Sequence, residues 1–306
     1  MKKISYVIPV YNNYGSIRLT WEAIRGLFQE GLSGYDYEIV FVDDGSRDNS
    51  YEEMRQVATE DTKVRTITFS RNFGQLAAII AGYDNASGDA IVSMSADLQD
   101  PVELTVDMAK AWAGGSDVVV GFRESREDSF GARLFSRLAY SAVRAANPDI
   151  PSGGFDFVLM SRRALEVFLS LKGRNRFYQG DVIWAGLPTT FIPYVRRKRI
   201  VGKSQYTFSK KLKLFYDFFL DGSYVPIRLM SASGAIVALL GVIYAIVISI
   251  SWLFGHTPFA GWAPIMVAIL VIGGVLMLML GLIGEYLWRI LDELKAKPLY
   301  IIKKLD

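Results

Sequence analysis

Two uncharged apolar runs near the C-terminal end, residues 229–254 and 261–284, limit the folds open to this chain. Each exceeds the ~20 apolar residues that cross a hydrocarbon core, so both read as transmembrane helices. The competing reading is a pair of buried core helices. Lys210, Lys211, Lys213 and Arg228 precede the first run, and Arg289, Lys295, Lys297, Lys303 and Lys304 follow the second. The loop between them, residues 255–260, carries no Lys or Arg. Cations favour the cytoplasmic side of a membrane, so both ends of the chain are expected there. The expected organisation is a cytoplasmic domain over residues 1–225, a two-helix anchor over 226–286 and a cytoplasmic tail over 287–306.

Composition removes several chemistries. The net charge is only +3, which argues against a nucleic-acid binder. There are no cysteines, so disulfides, thiol catalysis and cysteine metal sites are excluded. The sole histidine, His256, falls between the apolar runs and reads as a loop residue on the far side of the membrane, so no histidine-based triad or zinc site can form. Any metal must take oxygen ligands, which favours Mg²⁺ or Mn²⁺. Met1-Lys2-Lys3 leads into a short apolar stretch that stops at Pro9, unlike a secretory signal.

The first ~120 residues alternate between strand and helix patterns. Strands are expected at 4–10, 38–42, 64–69, 90–94 and 117–120, and helices at 16–29, from Ser50, and at 75–86. Ser50 and Glu53 have the spacing of a capping box. This βαβ rhythm predicts a mostly parallel sheet covered on both faces, with ligands beyond the carboxyl ends of its strands. The polar clusters fall at those ends: Tyr11-Asn12-Asn13, Asp43-Asp44, Ser70-Arg71-Asn72 and residues 95–100. Residues 130–144 and 208–220 have amphipathic helical spacing with interleaved cations. They read either as helices lying in the lipid headgroup plane or as ordinary core-facing helices. Gly273, Gly274, Gly281 and Gly284 would permit close helix contacts and a homo-oligomer.

Carboxylates at Asp43-Asp44-Gly45-Ser46 suit hydrogen bonds from a base and a ribose, although Asp-Gly turns are common without function. In Ser95-Ala96-Asp97-Leu98-Gln99-Asp100-Pro101, a carboxylate can hold a divalent cation against a diphosphate. Asp100, followed by Pro101 and then Glu103, has the pattern of a helix cap, which leaves Asp97 as the best metal ligand.

These motifs together, with Ile8-Pro9-Val10-Tyr11-Asn12 and Ser70-Arg71-Asn72-Phe73-Gly74, resemble family 2 glycosyltransferases. With the two apolar runs, the resemblance narrows to polyprenyl-phosphate glycosyltransferases, similar to dolichol-phosphate mannose synthase and to bacterial enzymes that load undecaprenyl phosphate with glucose for O-antigen modification. It implies a GT-A, Rossmann-like α/β fold, a nucleotide-sugar donor such as a UDP-sugar, a polyprenyl phosphate acceptor, and Mg²⁺ or Mn²⁺. It also implies inversion at the anomeric carbon and residence in a bacterial inner membrane.

By position, the resemblance assigns Pro9, Tyr11, Asn13 and Asp44 to the nucleoside pocket and Ser95, Asp97 and Gln99 to the metal and diphosphate. It assigns Asp156 as the catalytic carboxylate, and Lys203, in a closing loop, to the diphosphate. Cations for the acceptor phosphate are Arg123, Arg126, Arg133 with Ser136, and Arg199. Tyr178-Gln179-Gly180-Asp181 matches a stretch near donor and acceptor. The chain departs from the family at Ser95, where an Asp is usual, and at Asn13, where an acid is common. The Ser95 departure leaves room for a membrane adaptor that keeps the fold without catalysis. Glucose is the expected sugar, with GlcNAc, galactose and mannose open. A processive synthase would need more membrane helices. A dinucleotide dehydrogenase would need a Gly-rich turn where Tyr11-Asn12-Asn13 stands.

Overall fold

The computed structural model describes residues 1–123, 155–171, 173, 176–197, 225–254 and 263–305. The chain separates into two compact units, Met1–Phe215 with Pro298–Asp306, and Tyr216–Lys297.

The first unit is built on an eight-stranded sheet. Its elements are β1 (Lys3–Val10), α1 (Ile17–Glu30), β2 (Asp36–Asp43), α2 (Ser50–Glu60), β3 (Val64–Phe69), α3 (Gln75–Asn85), β4 (Ala90–Ser93), α4 (Leu104–Ala113) and β5 (Val118–Arg123). After the next described residues come β6 (Phe157–Ser161), α5 (Arg162–Ser170), α6 (Tyr178–Trp184), β7 (Thr189–Tyr194) and, at the far end of the chain, β8 (Ile302–Leu305). The spatial order is β7-β5-β6-β4-β1-β2-β3-β8. Strands β1 to β4 are mutually parallel, and β5 pairs in parallel with β7. Among the described strands, β6 and β8 run the other way.

Alternating side chains explain the two layers. On β1, Ile4, Tyr6, Ile8 and Val10 enter one core with Trp21 and Ile24 of α1, Met54 of α2 and Met108 of α4. Val7 points to the opposite core, with Ile80 of α3, Leu165 of α5 and Val182 of α6. Gly82 lets α3 seat on the sheet, because a Cβ there would lie 2.2 Å from Val7 Cγ1.

The expected capping box does not form. Ser50 is already helical, and Ser50 Oγ accepts from Asn13 N at 2.8 Å. Glu53 instead serves a different helix: its carboxylate accepts from Gly15 N at 2.6 Å and Arg18 N at 3.0 Å, covering free donors at the start of α1. The two helices pack side by side, so the nearest open N–H groups belong to the neighbour.

The second unit holds α7 (Val225–Leu253) and α8 (Ala263–Leu294). Their apolar stretches, Met230–Ser251 and Ile265–Leu294, have mean hydropathies of 2.5 and 2.9 and are long enough to cross a membrane. Most of the described large apolar side chains of both helices are exposed and none is buried, unlike those of core helices in a water-soluble fold. Among the described residues, a Cβ at Gly273, Gly274, Gly281 or Gly284 would meet nothing within 4 Å, which leaves the glycine face open.

The C-terminal residues, expected as a tail, return to the sheet. β8 pairs with β3, with Ile67 opposite Leu305 and Phe69 opposite Ile302. Residues 130–144 and 208–220, both read as interfacial helices, lie outside the described residues, as does His256.

Candidate functional site

The strand directions bring the site together. Strands β1 to β5 and β7 all end at one edge of the sheet, and the two reversed strands begin there. Asp156 directly precedes β6, and the register sets Phe157 opposite Gly121 of β5. Asp156 therefore reaches the same edge as Arg123, at the end of β5, and the loop after β4 that carries Asp97.

On the β1–β2–β3 side lies a cavity of about 410 Å³. Tyr11, Asp43, Arg47, Arg71, Lys303 and Lys304 are on its wall. Pro9, Asn13 and Asp44, expected in a nucleoside pocket, do not line it. Asn13 and Asp44 instead hold backbone next to its lining residues. Asn13 Oδ1 accepts from Tyr11 N at 2.9 Å, and Asp44 accepts from Phe73 N at 2.6 Å and Gly74 N at 2.9 Å. Gly45 is required beside it, with φ +71° and a would-be Cβ 2.6 Å from the Arg71 carbonyl carbon.

Burial raises the Asp44 carboxyl to about 6, against the pull of its two backbone donors. Burial also raises its neighbour Asp43, whose Oδ1 accepts from Ser46 N at 2.9 Å. The folded state holds the Asp44 proton more tightly than the unfolded chain, whose carboxyl sits near 3.8. That stability is complete below the unfolded value and is lost as pH rises through about 6. Asp44→Asn keeps an oxygen for the Phe73 and Gly74 amides and removes the desolvated charge. It is expected to match wild type near pH 4 and to exceed it by about 1–3 kcal/mol near pH 8. Thermal unfolding of the full chain in detergent checks this, and a difference that does not change with pH would refute it.

Asp97 is buried, at 2% exposure. Its Oδ1 accepts from Gln99 N at 3.2 Å. Leu98 between them holds φ +52°, a left-handed conformation uncommon for leucine. Gln99 is committed in part: its side-chain amide donates to the Arg197 carbonyl at 3.3 Å. Among the described residues, no three His, Cys, Asp or Glu side chains gather into a metal cage. The donor set nevertheless suits Mg²⁺ or Mn²⁺, hard cations that accept one or two carboxylates and complete their shell with phosphate and water. Asp97, with the Ser95 hydroxyl and Gln99 in the same loop, would be the protein's share.

Asp100 does not cap α4. The position before that helix is Glu103, whose side chain makes no capping bond. Asp100 turns inward, at 1% exposure, and Oδ1 accepts from the Tyr194 hydroxyl at 2.5 Å. Among the described residues, Oδ2 is buried without a hydrogen-bond partner. Tyr194 also accepts from Arg123 Nε at 3.4 Å, and Arg123 Nη2 bonds Asp156 Oδ2 at 2.8 Å. Burial raises the Asp100 carboxyl, while the Tyr194 hydroxyl and the charges of Arg123 and Arg196 pull it down. Arg123 is raised despite burial, because Asp156, Tyr194 and Asp100 surround it.

Arg123, expected to meet the acceptor phosphate, is therefore committed elsewhere: it is 8% exposed and anchors Asp156. Sequence spacing gave no sign of this, since Arg123 and its three partners, Asp100, Asp156 and Tyr194, come from four separate segments. A second support comes from α6. Gln179 Nε2 donates to the Phe155 carbonyl at 2.7 Å, fixing the backbone next to Asp156. The Tyr178 hydroxyl joins Ser93 at 2.7 Å and Tyr83 at 2.9 Å. Arg126, Arg133, Ser136, Arg199 and Lys203 lie outside the described residues.

Residues 5–169 match the family described as Glycosyl transferase family 2, and residues 225–290 match the GtrB C-terminal hairpin. The chain is 37% identical over 306 residues to a prophage-derived bactoprenol glucosyl transferase of Shigella flexneri, covering 99% of this chain and 98% of the relative. It is 38% identical over 302 residues to the glycosyltransferase YkcC of Bacillus subtilis, covering 98% and 93%. Among solved structures, glucosyl-3-phosphoglycerate synthase of Mycobacterium tuberculosis, in complex with Mn²⁺, UDP-glucose and phosphoglyceric acid, superposes with a TM-score of 0.53. The match covers 72% of this chain and 79% of that one, at 19% identity, and shows a common GT-A fold.

Proposed function

This chain belongs to glycosyl transferase family 2, and we propose that it transfers glucose from UDP-glucose to undecaprenyl phosphate at the cytoplasmic face of the bacterial inner membrane. The observation that carries this reading is the union, in one chain, of the site at the sheet edge with a hairpin matched over residues 225–290. The full-length similarity to bactoprenol glucosyl transferases supports the acceptor and the sugar.

A phosphate oxygen of the acceptor attacks C1 of glucose as the bond from C1 to the diphosphate breaks. UDP leaves, and the anomeric configuration inverts. A phosphate monoester, with a second pKa of about 6, is already mostly dianionic at neutral pH and needs little help from a base. Asp156, held by Arg123, takes up a residual proton or orients the sugar. A divalent cation held by Asp97 with Ser95 and Gln99 would neutralise charge on the departing diphosphate. Tyr11 and Asp43 border the nucleoside, with Pro9, Asn13 and Asp44 behind them. Arg126, Arg133, Ser136 and Arg199 are the candidates for the lipid phosphate, now without Arg123, and Lys203 for the diphosphate. Flanking Lys and Arg support an anchor whose two ends face the cytoplasm.

The test is transfer of radiolabel from UDP-glucose, UDP-GlcNAc, UDP-galactose and GDP-mannose into organic-extractable lipid, with undecaprenyl phosphate and Mg²⁺ or Mn²⁺. Label is expected from UDP-glucose. Label from a different donor would refute the sugar, and none from any donor with folded protein would leave the adaptor reading.

A further inference from the structure

The segment that follows α8 is outside both matched regions, 5–169 and 225–290, yet it builds part of the cavity wall. Several contacts dock it. The Tyr300 ring stacks on Phe69 with centroids 5.1 Å apart, and its hydroxyl donates to Asp84 Oδ2 at 2.7 Å. Ser70 N donates to the Ile301 carbonyl at 3.0 Å, and β8 then pairs along β3. Lys304 Nζ donates to the Tyr51 hydroxyl at 3.1 Å, tying the strand to α2.

The result is an uneven cavity. Among the described residues, its wall carries four cations, Arg47, Arg71, Lys303 and Lys304, against the single acid Asp43. Arg71 lies over the Phe73 ring at 4.1 Å, and Lys304 is engaged by Tyr51. Lys303 is close enough to Asp43 for its charge to favour the ionised carboxylate. A cavity with this excess of cations and an aromatic at Tyr11 favours an anion that carries a flat ring. We propose that β8 is a wall of the donor pocket and that Lys303 binds the nucleotide of the donor. This rests on the reading of the chain as a UDP-sugar transferase. Lysines on an edge strand also serve to block unwanted strand pairing. That role alone predicts no effect on nucleotide affinity, so the two are separable.

The experiment is calorimetric titration of UDP, with Mn²⁺, into the full chain in detergent. Lys303→Gln is expected to weaken UDP about tenfold, as loss of one charge-assisted contact would, while Lys303→Arg stays near wild type. Lys297→Gln, in the connection before β8, controls for total charge and should leave affinity unchanged. UDP affinity unaltered in Lys303→Gln would overturn the inference and leave the transferase reading intact. Equal weakening in Lys303→Gln and Lys303→Arg, with a lowered thermal midpoint in both, would also overturn it, because the effect would then be structural. Wild-type protein that binds no UDP would overturn the transferase reading itself, and this inference with it.

Discussion

Asp97→Asn is expected to lower glucosyl transfer to lipid about a thousandfold, close to 4 kcal/mol of transition-state stabilisation, without unfolding the protein. Ser95 brings no charge to the loop after β4, and Asp100 is turned inward to Tyr194. The charge that this loop can offer a cation therefore rests on Asp97. Asparagine has nearly the same shape, and its oxygen can still accept from Gln99 N, so the turn through Leu98 should persist. Initial rates of label transfer at saturating Mn²⁺ measure the effect, with UDP titration as a second readout. Affinity for UDP should fall in the presence of Mn²⁺ and change little with EDTA. Activity within tenfold of wild type would mean that the cation is held elsewhere or not needed.

The second large effect concerns Arg123. Its side chain is 7% exposed, and its charge offsets Asp100, whose side chain is fully buried. Arg123→Met removes that cation while filling much of its volume. Asp156, nearly half exposed, will be screened by water. Asp100 has no such relief and is expected to take up a proton. Holding it neutral at pH 7, when its unfolded value is 3.8, costs at most about 4 kcal/mol, which bounds the loss of stability.

A carboxyl raised by folding stabilises fully below its unfolded pKa and loses that stability as pH rises through its folded one. The deficit of Arg123→Met should therefore be small near pH 5 and largest above neutrality, and Arg123→Met with Asp100→Asn should recover most of it. Transfer should also fall about a hundredfold, as expected when a reacting group loses its alignment. Thermal unfolding across pH and label transfer check the two parts. Wild-type stability in the single variant would show that Asp100 does not depend on Arg123.

The central strands were legible because each buries both faces and so reads as a continuous apolar run. Ile39, Val40, Phe41 and Val42 of β2 are all fully buried. The polar residues that interrupt such runs had to lie at strand ends, which located Tyr11, Asp43 and Asp97. Asp100 misled for a physical reason. Asp, Pro and an acid three residues later satisfy the local rules for a helix start. A buried tyrosine and arginine from distant strands offer the same carboxylate more than the first turn of α4 does.

The sequence by itself determined the class of this protein: an α/β sheet with its chemistry at the carboxyl edge, oxygen ligands for any metal, and two helices suited to a membrane. These follow from periodicity, run length and residue type, which are local properties. The tertiary structure decided which residues share a site. The reversal of β6 delivers Asp156 to the edge where Arg123 ends β5. The return of β8 sets Lys303 and Lys304 beside Asp43, about 260 positions earlier in the chain. Neither pairing leaves a local trace, because strand order and direction are fixed only when the apolar faces of distant segments are buried together.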